Sequence, residues 1–120
     1  MPQSQKILIV EDEPLIAMML EDFLDALDRG VAGTADSVAT ALEVIEAGGV
    51  DAAIMDVNLR GGETSWPIAD ALTARGIPFV LATGGAGDMI AEAYRNRPVL
   101  SKPFTMDSVE KALDSLFAAS

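Results

Sequence analysis

Six polar residues stand where short apolar runs of this chain end: Glu11 and Asp12 after KILIV, Asp56 closing DAAIMD, Thr83 closing PFVLAT, and Ser101 and Lys102 after PVL. The chain has no histidine and no cysteine, which removes the commonest general base, the usual phosphocarrier, thiolate metal sites and cysteine nucleophiles. Any chemistry must run on carboxylates, hydroxyls and amines. Three carboxylates brought together repel one another unless a cation compensates them. Oxygen ligands in small number suit Mg²⁺, which keeps several waters and joins one or two carboxylates to a phosphate. A carboxylate facing that ion can act as a nucleophile toward a phosphoryl group without a base. Charge spread over the phosphoryl oxygens asks for a cation, a hydroxyl and an amine, and Mg²⁺, Thr83 and Lys102 supply them. The competing reading is that Glu11 and Asp12 only cap the helix that follows, where the helix dipole favours acids.

These residues are useful together only if the elements between them bring them to one place. KILIV (6–10) is rich in β-branched residues and reads as a buried strand. In LIAMMLEDFLDALDR, Ile16, Leu20, Phe23, Leu24 and Leu27 recur at spacings of three and four, so it reads as a helix with one apolar face. Pro14 suits its first turn, Glu21, Asp22, Asp25 and Asp28 form a solvated flank, and Gly30 is the expected stop. The alternation repeats: strand VAGTA (31–35), helix SVATALEVIEA closed by Gly48 and Gly49, strand DAAIMD (51–56), loop GGETSW, and helix PIADALTAR opened by Pro67 and closed by Gly76. Then come strand PFVLAT (78–83), loop GGAG, short helix DMIAEAYR, strand PVLS, and a closing helix TMDSVEKALDSLFAA with Val109, Leu113, Leu116 and Phe117 inward. Strands alternating with helices imply right-handed crossovers and a parallel sheet covered on both faces. The expected architecture is α/β, a doubly wound five-stranded parallel sheet with five helices. Such sheets bind ligands outside the carboxyl ends of their strands, which is where the six polar residues fall.

The 120 residues, half of them apolar, suffice for one domain with its own core, and residues 1–120 read as a single unit with no output domain. No apolar run approaches the eighteen residues of a spanning helix and MPQSQK has no apolar signal core, so no membrane association and a cytoplasmic location are expected. Eight Lys and Arg against nineteen Asp and Glu give a net charge of −11, which repels polyphosphate and argues against nucleic acid as a partner.

Four motifs, VEDEP, IMDVN, LATG and LSKPF, in this order at the ends of successive strands, make the chain resemble the receiver domains of two-component response regulators over essentially its full length. The resemblance implies a flavodoxin-like receiver fold and a phosphoprotein rather than a turnover enzyme. It implies Asp56 as phosphoacceptor, Asp12 and Asp56 as direct Mg²⁺ ligands, Glu11 as a ligand through water, and the backbone carbonyl of Asn58 completing the protein's share of the shell. Thr83 and Gly84 would contact the phosphoryl group, Lys102 would pair with the aspartyl phosphate, and Pro103, often after a cis bond in such domains, would aim the lysine. The donor would be a histidine kinase or a histidine phosphotransfer protein. Output would pass to another protein, through the face of DMIAEAYR, the fifth strand and the closing helix, from a monomer or weak dimer. Draining or relaying phosphoryl groups is the other use of such a domain.

The chain departs from the family pattern in three places. Most receivers carry Tyr or Phe three residues before the lysine, where this chain has Val99, so the aromatic switch is missing. PFVLATGG resembles the signature of the FAT GUY regulators, which also lack that aromatic and point to HWE-type kinases, although Leu81 and Gly85 replace two of its aromatics. Gly84, Gly85 and Gly87 crowd just past Thr83, and their conformational freedom suits a loop that rearranges around a phosphoryl group in place of a rotating ring; a merely flexible loop is the alternative. LRGGETSW lacks the usual proline and methionine, and Trp66 is expected at the rim of the site or in packing. Two other functional readings compete with the receiver. A phosphatase of the haloacid dehalogenase type would need D-x-D after the first strand, where this chain has EDEP, and a degenerate receiver would not keep all five site residues.

Overall fold

The computed structural model describes residues 5–59, 62–83, 98–101 and 104–118. Five strands, β1 (Lys6–Val10), β2 (Gly30–Ala35), β3 (Ala52–Asp56), β4 (Phe79–Thr83) and β5 (Val99–Ser101), alternate with helices α1 (Pro14–Ala26), α2 (Val38–Ala47) and α3 (Trp66–Ala74), and α4 (Met106–Ala118) closes the chain. All strands are parallel in the order β2-β1-β3-β4-β5, the flavodoxin-like doubly wound order. Four helices are seen among the described residues; the expected helix DMIAEAYR lies outside them, as do Gly84, Gly85, Gly87, Lys102 and Pro103.

The period of two along the strands splits the core into two layers. Leu8, Val10, Ala53, Met55, Phe79 and Leu81 face Ala41 and Ile45 of α2 and Ile68, Ala69 and Leu72 of α3. Their neighbours Ile7, Ile9, Ala52, Ile54, Val80, Ala82 and Leu100 face Ala17, Leu20 and Leu24 of α1 and Val109, Leu113 and Leu116 of α4. Because β3 and β4 are buried along their whole length, they read as continuous apolar runs in the sequence. Phe117, expected inward, is half-buried, with the Arg29 guanidinium 5.2 Å from its ring centre.

Helix ends follow local chemistry, with one departure from expectation. Ser37 caps α2 by accepting the Thr40 N–H, and Gly48 follows at φ 86°. Thr105 and Ser108 exchange side-chain and backbone hydrogen bonds across the first turn of α4, a reciprocal cap. Gly30 was expected to stop α1, but it begins β2, where its N–H donates to the Gln5 carbonyl. The stop is Asp28 at φ 60°, with the Asp28 and Arg29 N–H groups closing back on the Asp25 and Leu24 carbonyls. Aspartate tolerates this left-handed conformation better than most residues, so glycine is not required there. At Gly33 the constraint is space: a Cβ would come within 3.2 Å of both methyls of Val44, so the glycine lets α2 approach the sheet.

Candidate functional site

The carboxyl ends of β1, β3, β4 and β5 lie side by side, and each leaves a polar residue there. Pairing of β1 with β2 continues one residue past the strand, the Glu11 N–H donating to the Ala35 carbonyl at 2.9 Å. That bond fixes the start of the β1–α1 loop. The Glu11 carboxylate then accepts the Glu13 N–H at 3.1 Å, and Glu13, the residue before α1, makes no side-chain cap of its own. Glu11 therefore does part of the capping work, yet it is only 3% exposed and shares its site with two other acids.

Asp56 ends β3, 6% exposed, in register with Ala82 of β4. The next residue, Val57, donates its N–H to the Ala82 carbonyl, so Asp56 is held on a paired backbone. One carboxylate oxygen each from Glu11, Asp12 and Asp56 lies within 4.8 Å of the others. Thr83, 7% exposed, ends β4 on the neighbouring strand, level with Ser101 of β5. The structure thus brings together Glu11, Asp12 and Asp56, as the spacing predicts. Carboxylate oxygens gathered within 4.8 Å of one another can surround a single Mg²⁺ together with its waters. The donor set is all oxygen and fits the ion.

The described residues of the loop after Asp56 are tied together by hydrogen bonds. Asn58 and Thr64 form an antiparallel bridge, closed by Leu59 N–H to the Glu63 carbonyl at 2.8 Å and Ser65 N–H to the Val57 carbonyl at 3.0 Å. The Ser65 hydroxyl donates to the same Val57 carbonyl at 3.2 Å, and Ser65 is fully buried. The Glu63 carboxylate accepts the Val38 N–H in the first turn of α2. Trp66 opens α3 half-buried and packed against the α2–α3 core layer, so it has a packing role beside the loop. Val99 is 45% exposed on the edge strand β5.

A cleft of about 300 Å³ borders the acidic cluster and is lined by Glu11, Asp12, Pro14, Ala17, Thr34, Ala35 and Asp36. Asp36, directly after β2, was overlooked in the sequence although it obeys the same rule of strand ends. Ser65 and Glu63 were also overlooked, and no local spacing announces them, because their bonds depend on how the loop folds back.

The family model for the response regulator receiver domain matches residues 7–114. Among solved structures, the chain is similar to SdrG from Sphingomonas melonis Fr1, with 64% identity over 98% of this chain and 99% of that one and a TM-score of 0.88. It is also similar to the BeF3-activated conformation of SdrG from Pseudomonas melonis Fr1, with 65% identity, coverage of 97% and 98%, and a TM-score of 0.82. The receiver domain of the response regulator PhyR from Erythrobacter litoralis is 28% identical over 96% of this chain and 91% of that one, with a TM-score of 0.83. No curated protein matches the chain. Strand order, an acidic cluster at the strand ends and a family match spanning nearly the whole sequence agree, and the chain belongs to the response regulator receiver domain family of two-component signalling.

Proposed function

We infer that this protein is a stand-alone receiver that takes a phosphoryl group onto Asp56 from a phosphohistidine donor and signals through protein contacts, or passes the phosphoryl group on. The observation that carries this reading is the convergence of Glu11, Asp12 and Asp56, two of them buried, at the carboxyl ends of adjacent strands. Receiver domains bind Mg²⁺ at such an acidic site, work with histidine kinases or phosphotransfer proteins, and are signalling proteins rather than turnover enzymes.

In this reading one Asp56 oxygen attacks phosphorus, and the bond from phosphorus to the donor's imidazole nitrogen breaks. Asp12, Asp56 and the Asn58 carbonyl would hold Mg²⁺ directly and Glu11 would do so through water. When bound, the ion neutralises the acids and the developing charge on the phosphoryl oxygens. Burial of Asp56 keeps water away from the acceptor. The Thr83 hydroxyl and Gly84 receive the phosphoryl oxygens, and Lys102, aimed by Pro103, pairs with the new dianion. The donor is a histidine kinase, of the HWE type to which the FAT GUY likeness points, or a phosphotransfer protein.

Val99 is aliphatic and solvent-facing, which supports a switch that does not use a ring at this position. The alternative is rearrangement of the loop holding Gly84, Gly85 and Gly87. Beryllofluoride, a phosphoryl mimic, tests both parts. With Mg²⁺ it should shift the backbone amide resonances of residues 56–58 and 83–88 in wild type and leave Asp56→Asn unchanged. Shifts confined to residues 56–58 would remove the loop switch, and identical shifts in both proteins would remove Asp56.

A further inference from the structure

We propose that Ser65 is a positioning residue for the Mg²⁺-binding carbonyl of Asn58, acting through the small hairpin that follows Asp56. The inference rests on the metal reading above and assigns a role that neither strand order nor motif predicts. Residues 58 and 64 pair in the antiparallel class in which the flanking residues, not the pair itself, exchange hydrogen bonds: Ser65 N–H to the Val57 carbonyl and Leu59 N–H to the Glu63 carbonyl. In that class the N–H and C=O of the central residue turn away from the partner strand. The Asn58 carbonyl is thus directed out of the hairpin.

Both peptide planes beside Asn58 are clamped. The plane after it carries the Leu59 N–H, tied to Glu63 at 2.8 Å; in a planar trans peptide this also sets the direction of the Asn58 carbonyl. The plane before it carries the Val57 carbonyl, which accepts twice from Ser65, from the N–H at 3.0 Å and the hydroxyl at 3.2 Å. The two remaining backbone dihedrals of Asn58 lie between these planes. Ser65 is fully buried and its carbonyl accepts the Ile68 and Ala69 N–H groups at the start of α3. The hydroxyl therefore ties the metal loop to a rigid helix end, and outer-shell contacts of this kind tune metal affinity.

The test is calorimetric titration of MgCl₂ into EDTA-stripped protein, with thermal unfolding recorded alongside. Ser65→Ala leaves the Val57 carbonyl its backbone donor, so the loop closes but is held by one bond fewer. It should weaken Mg²⁺ binding about tenfold. Phosphorylation by acetyl phosphate should slow at low Mg²⁺ and recover when Mg²⁺ saturates. Ile68→Val, a destabilising change in the same turn of α3 that leaves the Val57 carbonyl alone, should lower the melting temperature and keep wild-type Mg²⁺ affinity. If Ser65→Ala fails to fold, Ser65→Cys, of similar size and weak donor strength, is read in the same way. Equal Mg²⁺ affinity in wild type and the Ser65 variant overturns the proposal while leaving Asp56 in place. A wild type that binds no Mg²⁺ overturns the metal reading itself.

Discussion

At the residue scale, the decisive feature is a concentration of negative charge at the carboxyl ends of the strands. Glu11 and Asp56 are buried, and their carboxylates share a space under 5 Å across with Asp12. Like charges at such separations cost on the order of 1–3 kcal/mol at the effective dielectric of a partly buried site. Asp56→Asn removes one of them while keeping shape and hydrogen-bonding capacity. Without metal it should raise stability by that order, visible as a higher urea midpoint in EDTA at an unchanged slope. An unchanged or lower midpoint would mean that the acids are already compensated within the protein. The three acids were legible in the sequence because a parallel sheet carries every strand's carboxyl end to one edge, so position along the chain converts directly into position in space.

At the element scale, strands and helices were legible because burial imposes their periods, while several ends and loop contacts were not. The buried strands β3 and β4 are continuous apolar runs, and the helices show spacings of three and four on their inward faces. The end of α1 falls before the expected Gly30 because aspartate, at Asp28, takes the left-handed position that glycine usually marks. Ser65 carries no local sequence signal for another reason: its partner is eight residues away, and only the closure of the loop brings them together. The cap at Ser37 is purely local and gives a clean test. Ser37→Ala should destabilise the protein by about 1 kcal/mol through loss of the Thr40 N–H acceptor, measured by chemical denaturation. A loss near zero would mean that Glu63, which accepts the neighbouring Val38 N–H, compensates for it.

At the scale of the whole molecule, the two core layers hold the sheet rigid while its ends are used differently. Near the amino ends of the strands, Arg29 from the α1–β2 turn donates to Gln5 at 2.8 Å and to Asp114 of α4 at 3.0 Å, and lies over Phe117. That end is tied together. At the carboxyl ends the acids converge instead, and the net charge of −11 adds a general attraction for cations. Binding of Mg²⁺ to the folded state alone should stabilise it by mass action, by about 2.7 kcal/mol at a hundredfold excess over its dissociation constant. Domains of this size are stable by only about 5–15 kcal/mol, so a melting temperature several degrees higher in MgCl₂ than in EDTA is expected. Asp56→Asn should lose most of that gain, and an equal gain in both proteins would place the ion elsewhere. The central claim is that Asp56 accepts a phosphoryl group. Intact mass measurement after incubation with acetyl phosphate and Mg²⁺ tests it most directly: a single phosphoryl adduct on wild type, lost in EDTA and absent from Asp56→Asn, is the predicted result, and an adduct on both proteins or on neither would contradict it.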